Sequence, residues 1–294
     1  MLLYHFKNNF SEHEHRCKFF LCSLLMIWIL FGCSSTDKRL DHTEARLTEQ
    51  QVPLNSELKA KVNSDVVLSD FTELCRQKKF DLALAQLKEN YYRFKDNPEY
   101  WTTMGSCYYL QDNLSLAKIY YNKALLLNPN YLPVVNNLGI LLLRQEKDQK
   151  AMMVWERILN SKYSDVSLIS ANTMLELRTL KLNLAKLYMK YFFVDKALAL
   201  LLELQTKFPS DVQVVGDLAS AYLLKNMGDK AIALYQKIDE LVVLKPEMAL
   251  NYVWALKMNG RLEEAKKIFE RIEKIDELKD VGLERYYQET AKLL

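Results

Sequence analysis

Residues 98–131 read PEYWTTMGSCYYLQDNLSLAKIYYNKALLLNPNY, and this stretch decides the fold of the 294-residue chain. Gly105 and Ala117 are small, so two antiparallel helices can cross closely where these residues meet. Tyr121 is placed to fill the space between this helix pair and the next. Pro129 ends the second helix and redirects the chain. The stretch therefore predicts a helix-turn-helix hairpin, which cannot bury its apolar face alone and has to stack on similar hairpins.

The same pattern recurs along the chain with a period of 34 residues. After the copy at 98, further copies start at 132, 178, 212 and 246, and a degenerate copy starts near 64. The copy at 178 starts 46 residues after its predecessor, so about twelve residues are inserted there. The insertion predicts a longer loop or an extended helix start, and a partner-binding loop is an alternative.

The spacing of small, aromatic and proline positions resembles the tetratricopeptide repeat (TPR) family. The resemblance implies an all-α fold, a right-handed TPR superhelix of about five repeats plus a degenerate N-terminal one. A final helix with apolar residues at helical spacing is expected to cap the last repeat. The expected units are 64–97, 98–131, 132–177 with the insertion, 178–211, 212–245 and 246–277, which together form a 64–277 solenoid, followed by the capping helix at 278–294.

The N-terminus has the pattern of an export signal. Basic residues precede an apolar run that is too short to anchor the chain stably in a bilayer, and residues 30–33 read LFGC. This motif resembles the lipobox of bacterial lipoproteins, although Phe31 is bulkier than usual there. The resemblance implies a signal peptide at 1–32, cleavage between Gly32 and Cys33, and acylation of Cys33 with chains such as palmitate. An ordinary signal peptide with a coincidental cysteine is the alternative.

The residues after Cys33 predict a membrane location. Residues 33–63 are polar and read as a flexible tether. Two or more acyl chains make membrane anchoring stable. Ser34 resembles the residue after the cysteine in lipoproteins that are sorted to the outer membrane. We therefore expect a protein that is lipid-anchored on the periplasmic face of the outer membrane of a Gram-negative bacterium.

Composition argues against several classes of function. Cleavage of the expected signal peptide removes Lys7, Arg16, Lys18, Glu12 and Glu14 and leaves 37 basic and 35 acidic residues. This balance lacks the excess of basic residues that is typical of nucleic-acid-binding proteins. All four histidines, His5, His13, His15 and His42, precede the expected repeats. Histidine-based nucleophile activation and histidine-ligated metal sites are therefore not expected in the solenoid. We expect no catalytic residues, no metal site and no cofactor, and hence no enzyme.

Cys75 and Cys107 lie in the first helices of consecutive units. An oxidising periplasm would permit a disulfide between them. Neighbouring helix axes are about 8–10 Å apart, which is beyond the usual Cα separation for a bridge. The expectation is therefore two buried free thiols.

The TPR resemblance also implies where a partner would bind. In this family the first helices line a concave groove, and the lining expected here is mixed but notably apolar, which suits an extended segment or an amphipathic helix. The expected groove residues are Tyr109, Leu110, Asn136, Ile140, Leu143, Arg144, Lys186, Met189, Leu223, Leu224, Leu250, Trp254 and Met258. The alternative for single residues is that the tether, the insertion or the final helix covers them.

The layout favours a scaffold over an enzyme. It resembles TPR lipoproteins that act as pilotins or assembly factors for type IV and Tad pili, which implies another envelope protein, a secretin or pilus component, as partner. The first hypothesis is a scaffold that assists assembly or localisation of such a complex. A second is an adaptor that regulates cell-wall enzymes or outer-membrane assembly. A third is a supporting domain of a periplasmic enzyme, which the lack of histidines in the expected repeats argues against.

Overall fold

The computed structural model describes residues 68–160, 170–239, 243–272, 281–292 and 294. All regular elements within these ranges are α-helices, so the all-α prediction is confirmed. The helices are α1 (68–76), α2 (Phe80–Glu89), α3 (Tyr91–Phe94), α4 (Pro98–Leu110), α5 (Leu114–Leu127), α6 (Leu132–Arg144), α7 (Asp148–Leu159), α8 (Ala171–Lys190), α9 (Val194–Lys207), α10 (Val212–Leu224), α11 (Gly228–Tyr235), α12 (Pro246–Met258), α13 (Leu262–Glu270) and α14 (Val281–Ala291). The predicted signal peptide, the lipidation site at Cys33 and the tether lie outside the described residues.

The helices group into two compact units. One comprises the described residues up to Leu180, and the other begins at Lys181 and runs to the C-terminus. The boundary falls inside α8. Each unit consists of antiparallel helix pairs in which the second helix packs on the first. None of the described helices combines the length and the apolar character that crossing a membrane requires.

The turn between the two helices of each repeat has one recurring geometry. The fifteenth residue of every repeat adopts a left-handed conformation with φ between 58° and 71°, a conformation that costs about 1–2 kcal/mol for residues other than glycine. The next amide donates a hydrogen bond of 2.8–3.0 Å to the carbonyl five residues earlier, as in a Schellman cap. The six left-handed residues are Lys78, Asp112, Glu146, Phe192, Asn226 and Gly260. The turns therefore recur with the spacing of the predicted repeat starts.

The small residues predicted at the helix crossing are required by close approach. A Cβ atom added to Gly105 would overlap the ring of Tyr121 and would lie 3.1 Å from the carbonyl oxygen of Ala117. At the equivalent position of the next repeat, a Cβ atom on Gly139 would overlap the indole of Trp155. Glycine at these positions lets the second helix seat an aromatic side chain directly against the backbone of the first.

The insertion after residue 159 extends a helix. Helix α8 has 20 residues and begins at Ala171, seven residues before the repeat frame starts at Arg178. The extended helix start predicted from the sequence is thus confirmed for residues 171–177, and the preceding residues 161–169 are not described. The added turns pack inward through Leu177, which is buried.

Cys75 and Cys107 form a disulfide, which corrects the prediction of free thiols. Their Cα atoms are 5.2 Å apart, and both side chains are buried. The prediction compared helix-axis distances with a Cα separation. Cα atoms lie about 2.3 Å from the axis, so facing residues approach roughly 4.6 Å closer than the axes do. A disulfide between α1 and α4 is therefore geometrically ordinary.

Helix α14 covers the last repeat, as predicted for a capping helix. The indole Nε1 of Trp254 donates to Thr290 Oγ1 at 3.2 Å, and the hydroxyl of Tyr286 donates to Asn251 Oδ1 at 3.0 Å. Leu250 and Ile272 complete an apolar cluster with Trp254 and Tyr286. The cap therefore closes the apolar end of the array and gives partners to the buried indole N–H of Trp254 and the amide oxygen of Asn251.

Candidate partner-binding surface

The two predicted groove residues that are exposed, Leu110 and Arg144, lie on the first helices of two consecutive repeats. Leu110 is 47% exposed, and the Arg144 side chain is 44% exposed. Tyr109, Ile140 and Leu143 are half-buried. Ile140, Leu143 and Arg144 share one face of α6, because residues three and four apart are neighbours on a helix. We name these five residues, Tyr109, Leu110, Ile140, Leu143 and Arg144, the Tyr109 patch.

Arg144 connects the two helices of the Tyr109 patch. Its Nη1 atom donates to the carbonyl oxygen of Tyr109 at 3.3 Å, and its guanidinium carbon lies 5.1 Å from the centroid of the Tyr109 ring. Its Nη2 atom lies 3.0 Å from Oδ1 of Asp112. Both partners of this ion pair are well exposed, so it contributes about 0–1 kcal/mol. Its main consequence is to hold the guanidinium near the Tyr109 ring and to reduce the local charge of the patch.

Asn136 lies behind the Tyr109 patch and not on the surface. It is 3% exposed, and its Nδ2 atom donates to the backbone oxygen and to Oε2 of Glu176, each at 3.2 Å. Burial raises the pKa of Glu176, and the hydrogen bond from Asn136 acts in the opposite direction. Asn136 thus joins α6 to the added turns of α8, because the insertion brings a carboxylate to it.

Most of the groove residues predicted in the 181–294 unit are buried in the core of that unit. Met189, Leu223, Leu250 and Trp254 are between 0% and 6% exposed. Leu250 and Trp254 belong to the cluster beneath α14, so the alternative that the final helix covers them holds for these two. Leu224 and Met258 remain half-buried. These four side chains are therefore not accessible to a partner, and their assignment to the groove surface is wrong.

Lys186 is engaged by the neighbouring repeat. Its Nζ atom lies 3.7 Å from Oδ2 of Asp217, which is buried. This pair belongs to a series that links the ninth residue of one repeat to the sixth residue of the next, 31 residues later. The other members are Thr72 with Thr103 (3.4 Å), Ser106 with Asn137 (3.2 Å) and Ser220 with Asn251 (3.2 Å).

This polar series was missed in reading the sequence. A search for complementary polar residues 31 positions apart would have found it, since each pair is visible once the repeat frame is known. The ninth position was expected to face a partner, yet in these repeats it contacts the next first helix. The series therefore stabilises the stacking of repeats within each unit and removes the ninth residues of these four repeats from the candidate surface, whereas Ile140, the ninth residue of the 132 repeat, stays in the Tyr109 patch.

The described residues supply no obvious reactive group at the Tyr109 patch. No cluster of three or more histidine, cysteine, aspartate or glutamate side chains with metal-binding geometry occurs in the part of the chain that the structure describes. The patch combines apolar side chains, one aromatic ring and one guanidinium. Such a surface can bury a complementary apolar segment and offer it a charge-assisted hydrogen bond.

Comparison with known proteins supports the repeat assignment. The model of the tetratricopeptide repeat family matches residues 98–131. No curated protein matches the sequence. Solved structures with similar folds include PilW, described as a widely conserved type IV pilus biogenesis factor. The match has 17% identity and a TM-score of 0.59, and covers 76% of this chain and 97% of PilW.

Two further solved structures share the fold. PilF of Pseudomonas aeruginosa is 14% identical, with a TM-score of 0.62, and the match covers 80% of this chain and all of PilF (100%). A chain of the Cut9–Hcn1 hetero-tetramer of the APC/C is 15% identical, with a TM-score of 0.56 and coverage of 82% and 43%. At these identities the similarity concerns the fold, and it establishes a TPR architecture for this chain.

Proposed function

We propose that this chain is a lipid-anchored TPR scaffold that binds another envelope protein through the Tyr109 patch. Acylation of Cys33 would hold it on the periplasmic face of the outer membrane, with residues 33–63 as tether and the repeats as the binding domain. The scaffold would assist assembly or localisation of an envelope complex, and we assign that complex to a type IV or Tad pilus, with a secretin or pilus component as partner.

The observation that carries the proposal is the exposure of the Tyr109 patch. Leu110 is exposed and Ile140 and Leu143 are half-buried on two consecutive first helices, whereas four of the predicted groove residues in the 181–294 unit are buried. An amphipathic helix or an extended segment could place apolar anchors against these side chains. Arg144 could donate to an acidic or carbonyl group of the same segment, in exchange for its weak pair with Asp112.

The envelope location is supported by the disulfide between Cys75 and Cys107. Disulfides persist in oxidising compartments such as the periplasm and are rare in the cytosol. The sequence motif at 30–33 supports the same compartment. The pilus assignment draws on the fold shared with PilW and PilF.

Catalysis forms no part of the proposed role. A TPR array that presents an apolar patch without a nucleophile or an activating base is suited to binding. The adaptor role toward cell-wall enzymes or outer-membrane assembly remains the second candidate, since an apolar groove would serve those clients equally well.

Capture of the partner from crosslinked envelopes tests the proposal. The acylated protein should recover a secretin or pilus subunit, and a Leu143→Asp variant should recover at least tenfold less, because it places a charge in a desolvated contact. Ile119→Asp, at an exposed site on α5, is the matched control and should capture normally. Recovery of peptidoglycan hydrolases in place of pilus proteins would favour the adaptor role. Equal recovery by both variants would contradict the patch assignment.

The anchor is tested separately. Cys33→Ser should move the protein from the membrane fraction to the soluble fraction of the envelope. Retention of the variant in membranes after a high-salt wash would contradict lipid anchoring at this cysteine.

A further inference from the structure

The carboxylate of Glu176 lies at the edge of the Tyr109 patch. Asn136, Ile140 and Leu143 share one face of α6, because each is three or four residues from the next. Glu176 contacts Asn136 at the start of this face, where its Oε2 atom lies 3.2 Å from Nδ2 of the amide. Four residues of an α-helix span about 6 Å. The insertion therefore adds an ionisable group about one helical turn from Ile140.

No lysine or arginine in the part of the chain that the structure describes offsets the charge of Glu176. Its side chain is half-buried, and its carboxylate accepts a hydrogen bond from the Asn136 amide. Burial raises the pKa of Glu176, and the opposing effect comes from that hydrogen bond and not from a cation. A carboxylate offers about four acceptor positions, and Asn136 occupies one of them.

The amide of Asn136 is held in an orientation that leaves its own oxygen without a donor. Asn136 is 3% exposed, and its enclosed Oδ1 atom accepts no hydrogen bond from the described residues. Reversing the amide would bring Oδ1 against the carboxylate and the backbone oxygen of Glu176, so Nδ2 has to face them. A buried acceptor without a donor is unfavourable for folding. The amide thus orients the carboxylate although its own oxygen stays unsatisfied.

We infer that Glu176 binds a lysine or arginine side chain of the partner segment, next to the apolar residues that contact Ile140 and Leu143. The unused hydrogen-bonding positions of Glu176 and Asn136 are acceptors, so the ligand group has to donate without accepting. Ammonium and guanidinium groups have this property. A half-buried carboxylate has already lost part of its hydration, which favours a charge-assisted contact with a cation.

The inference rests on the proposed function, because it specifies the partner of the same patch. The spacing along α6 indicates where the basic residue stands in that partner. Glu176 contacts the turn of α6 that precedes Ile140, and Leu143 lies about 10 Å from Asn136 along the helix axis. An amphipathic helix aligned with α6 would therefore carry its basic residue three or four positions from the nearest apolar anchor.

Peptide display on the full chain with Cys33→Ser tests the contact with synthetic ligands. A library of amphipathic helical peptides is selected on this protein, and only peptides that lose binding to a Leu143→Asp variant are kept, since these occupy the Tyr109 patch. Lysine or arginine should be enriched three or four positions from an apolar residue. Selection on a Glu176→Lys variant should replace this preference by aspartate or glutamate at the same position.

Glu176→Gln measures the contribution of the charge alone. Glutamine still accepts the hydrogen bond from Asn136 through its side-chain oxygen, so this variant should fold normally. A selected basic peptide should bind it about tenfold more weakly than it binds the parent. Glu89→Gln, at an exposed site on α2, is the matched control and should bind the peptide like the parent.

Two results would overturn the inference and leave the Tyr109 patch in place. One is a set of Leu143-dependent peptides without any preference for a basic residue. The other is equal binding of a basic peptide to the parent and to Glu176→Gln. If no selected peptide depended on Leu143, the patch and this inference would both be contradicted. Failure to capture a pilus component from envelopes would contradict the proposed function and leave the peptide result intact.

Discussion

Trp254 and Thr290 are joined by a buried hydrogen bond, in which the indole Nε1 donates to the hydroxyl at 3.2 Å. Thr290 in turn donates to the backbone oxygen of Tyr286 at 2.8 Å. The bond attaches α14 to the first helix of the last repeat, and it makes Trp254 part of the core. A tryptophan at a position that normally faces a ligand is thus used to seat the C-terminal cap.

Trp254→Ala should therefore lower the free energy of unfolding by about 3–5 kcal/mol, because it empties a large buried site. Trp254→Phe keeps most of the packing but loses the indole N–H donor, so we expect the free energy of unfolding to fall by about 1–2 kcal/mol. Urea unfolding followed by circular dichroism measures both. Leu126→Ala, at a side chain that is 83% exposed, is the control and should change stability by less than about 0.5 kcal/mol. A fully stable Trp254→Ala protein would refute the packing role.

Removing the bridge between Cys75 and Cys107 should cost about 3–4 kcal/mol, since it closes a loop of 32 residues in the unfolded chain. Urea unfolding of Cys75→Ala/Cys107→Ala measures the loss, and reductant should have no further effect on this variant. Alkylation of the denatured wild-type protein should label two more thiols after reduction than before. Identical labelling would mean that the cysteines are free.

Gly139→Ala and Gly216→Ala should have opposite consequences. A methyl group on Gly139 overlaps the indole of Trp155, so about 1–3 kcal/mol of stability should be lost. On Gly216 it meets chiefly the terminal methyl of Met248 at 2.9 Å, which can rotate away. Alanine inside a helix is favoured over glycine by about 0.5–1 kcal/mol, so this variant should be as stable or more stable. Comparison of the two melting temperatures checks the prediction, and equal shifts would contradict the tight crossing.

Glu203 should contribute a pH-dependent part of the stability. Burial alone would raise its pKa, but hydrogen bonds and charges from Lys181 and Lys207 outweigh this and lower it. Because the folded-state pKa is depressed, the stabilisation is present above the ordinary value of 4.5 and is lost as pH falls below it. Glu203→Gln should cost at most about 1 kcal/mol near neutrality, since the pair is partly exposed, and progressively less as the pH falls through the lowered pKa of Glu203.

Glu263→Gln is the control for this pH dependence. Glu263 is 81% exposed and lies 3.5 Å from Lys266, so its substitution should leave the unfolding free energy nearly unchanged. If Glu203→Gln loses the same stability at both ends of the pH range, a packing effect and not the charge would be responsible.

The repeat architecture could be predicted because its determinants are local. Small residues at the crossing, such as Gly105 and Ala117, and a chain-redirecting residue such as Pro129 recur at set positions within 34 residues. Each repeat therefore shows its register independently of its neighbours. The Schellman turns follow the same frame, even where Phe192 occupies a site that suits glycine or asparagine.

The candidate surface could be predicted only in part because accessibility depends on distant residues. Trp254 is covered by α14, and Asn136 is covered by Glu176, which the insertion brings into reach. Lys186 is engaged by Asp217 of the next repeat. Assigning a position in the repeat indicates which way a side chain leaves its helix, but not what lies against it. The prediction of free thiols at Cys75 and Cys107 was wrong for another reason. It compared the distance between helix axes with the Cα separation that a disulfide requires.

Site-specific photocrosslinking in intact cells tests the central claim most directly. A photoreactive residue at position 143 in the Tyr109 patch should give an adduct that mass spectrometry identifies as a secretin or pilus component. The same residue at position 126, which is more exposed but lies on a second helix, should not. An adduct with a single pilus protein from 143 alone is the predicted result. No adduct from 143, or the same adducts from both positions, would contradict the account.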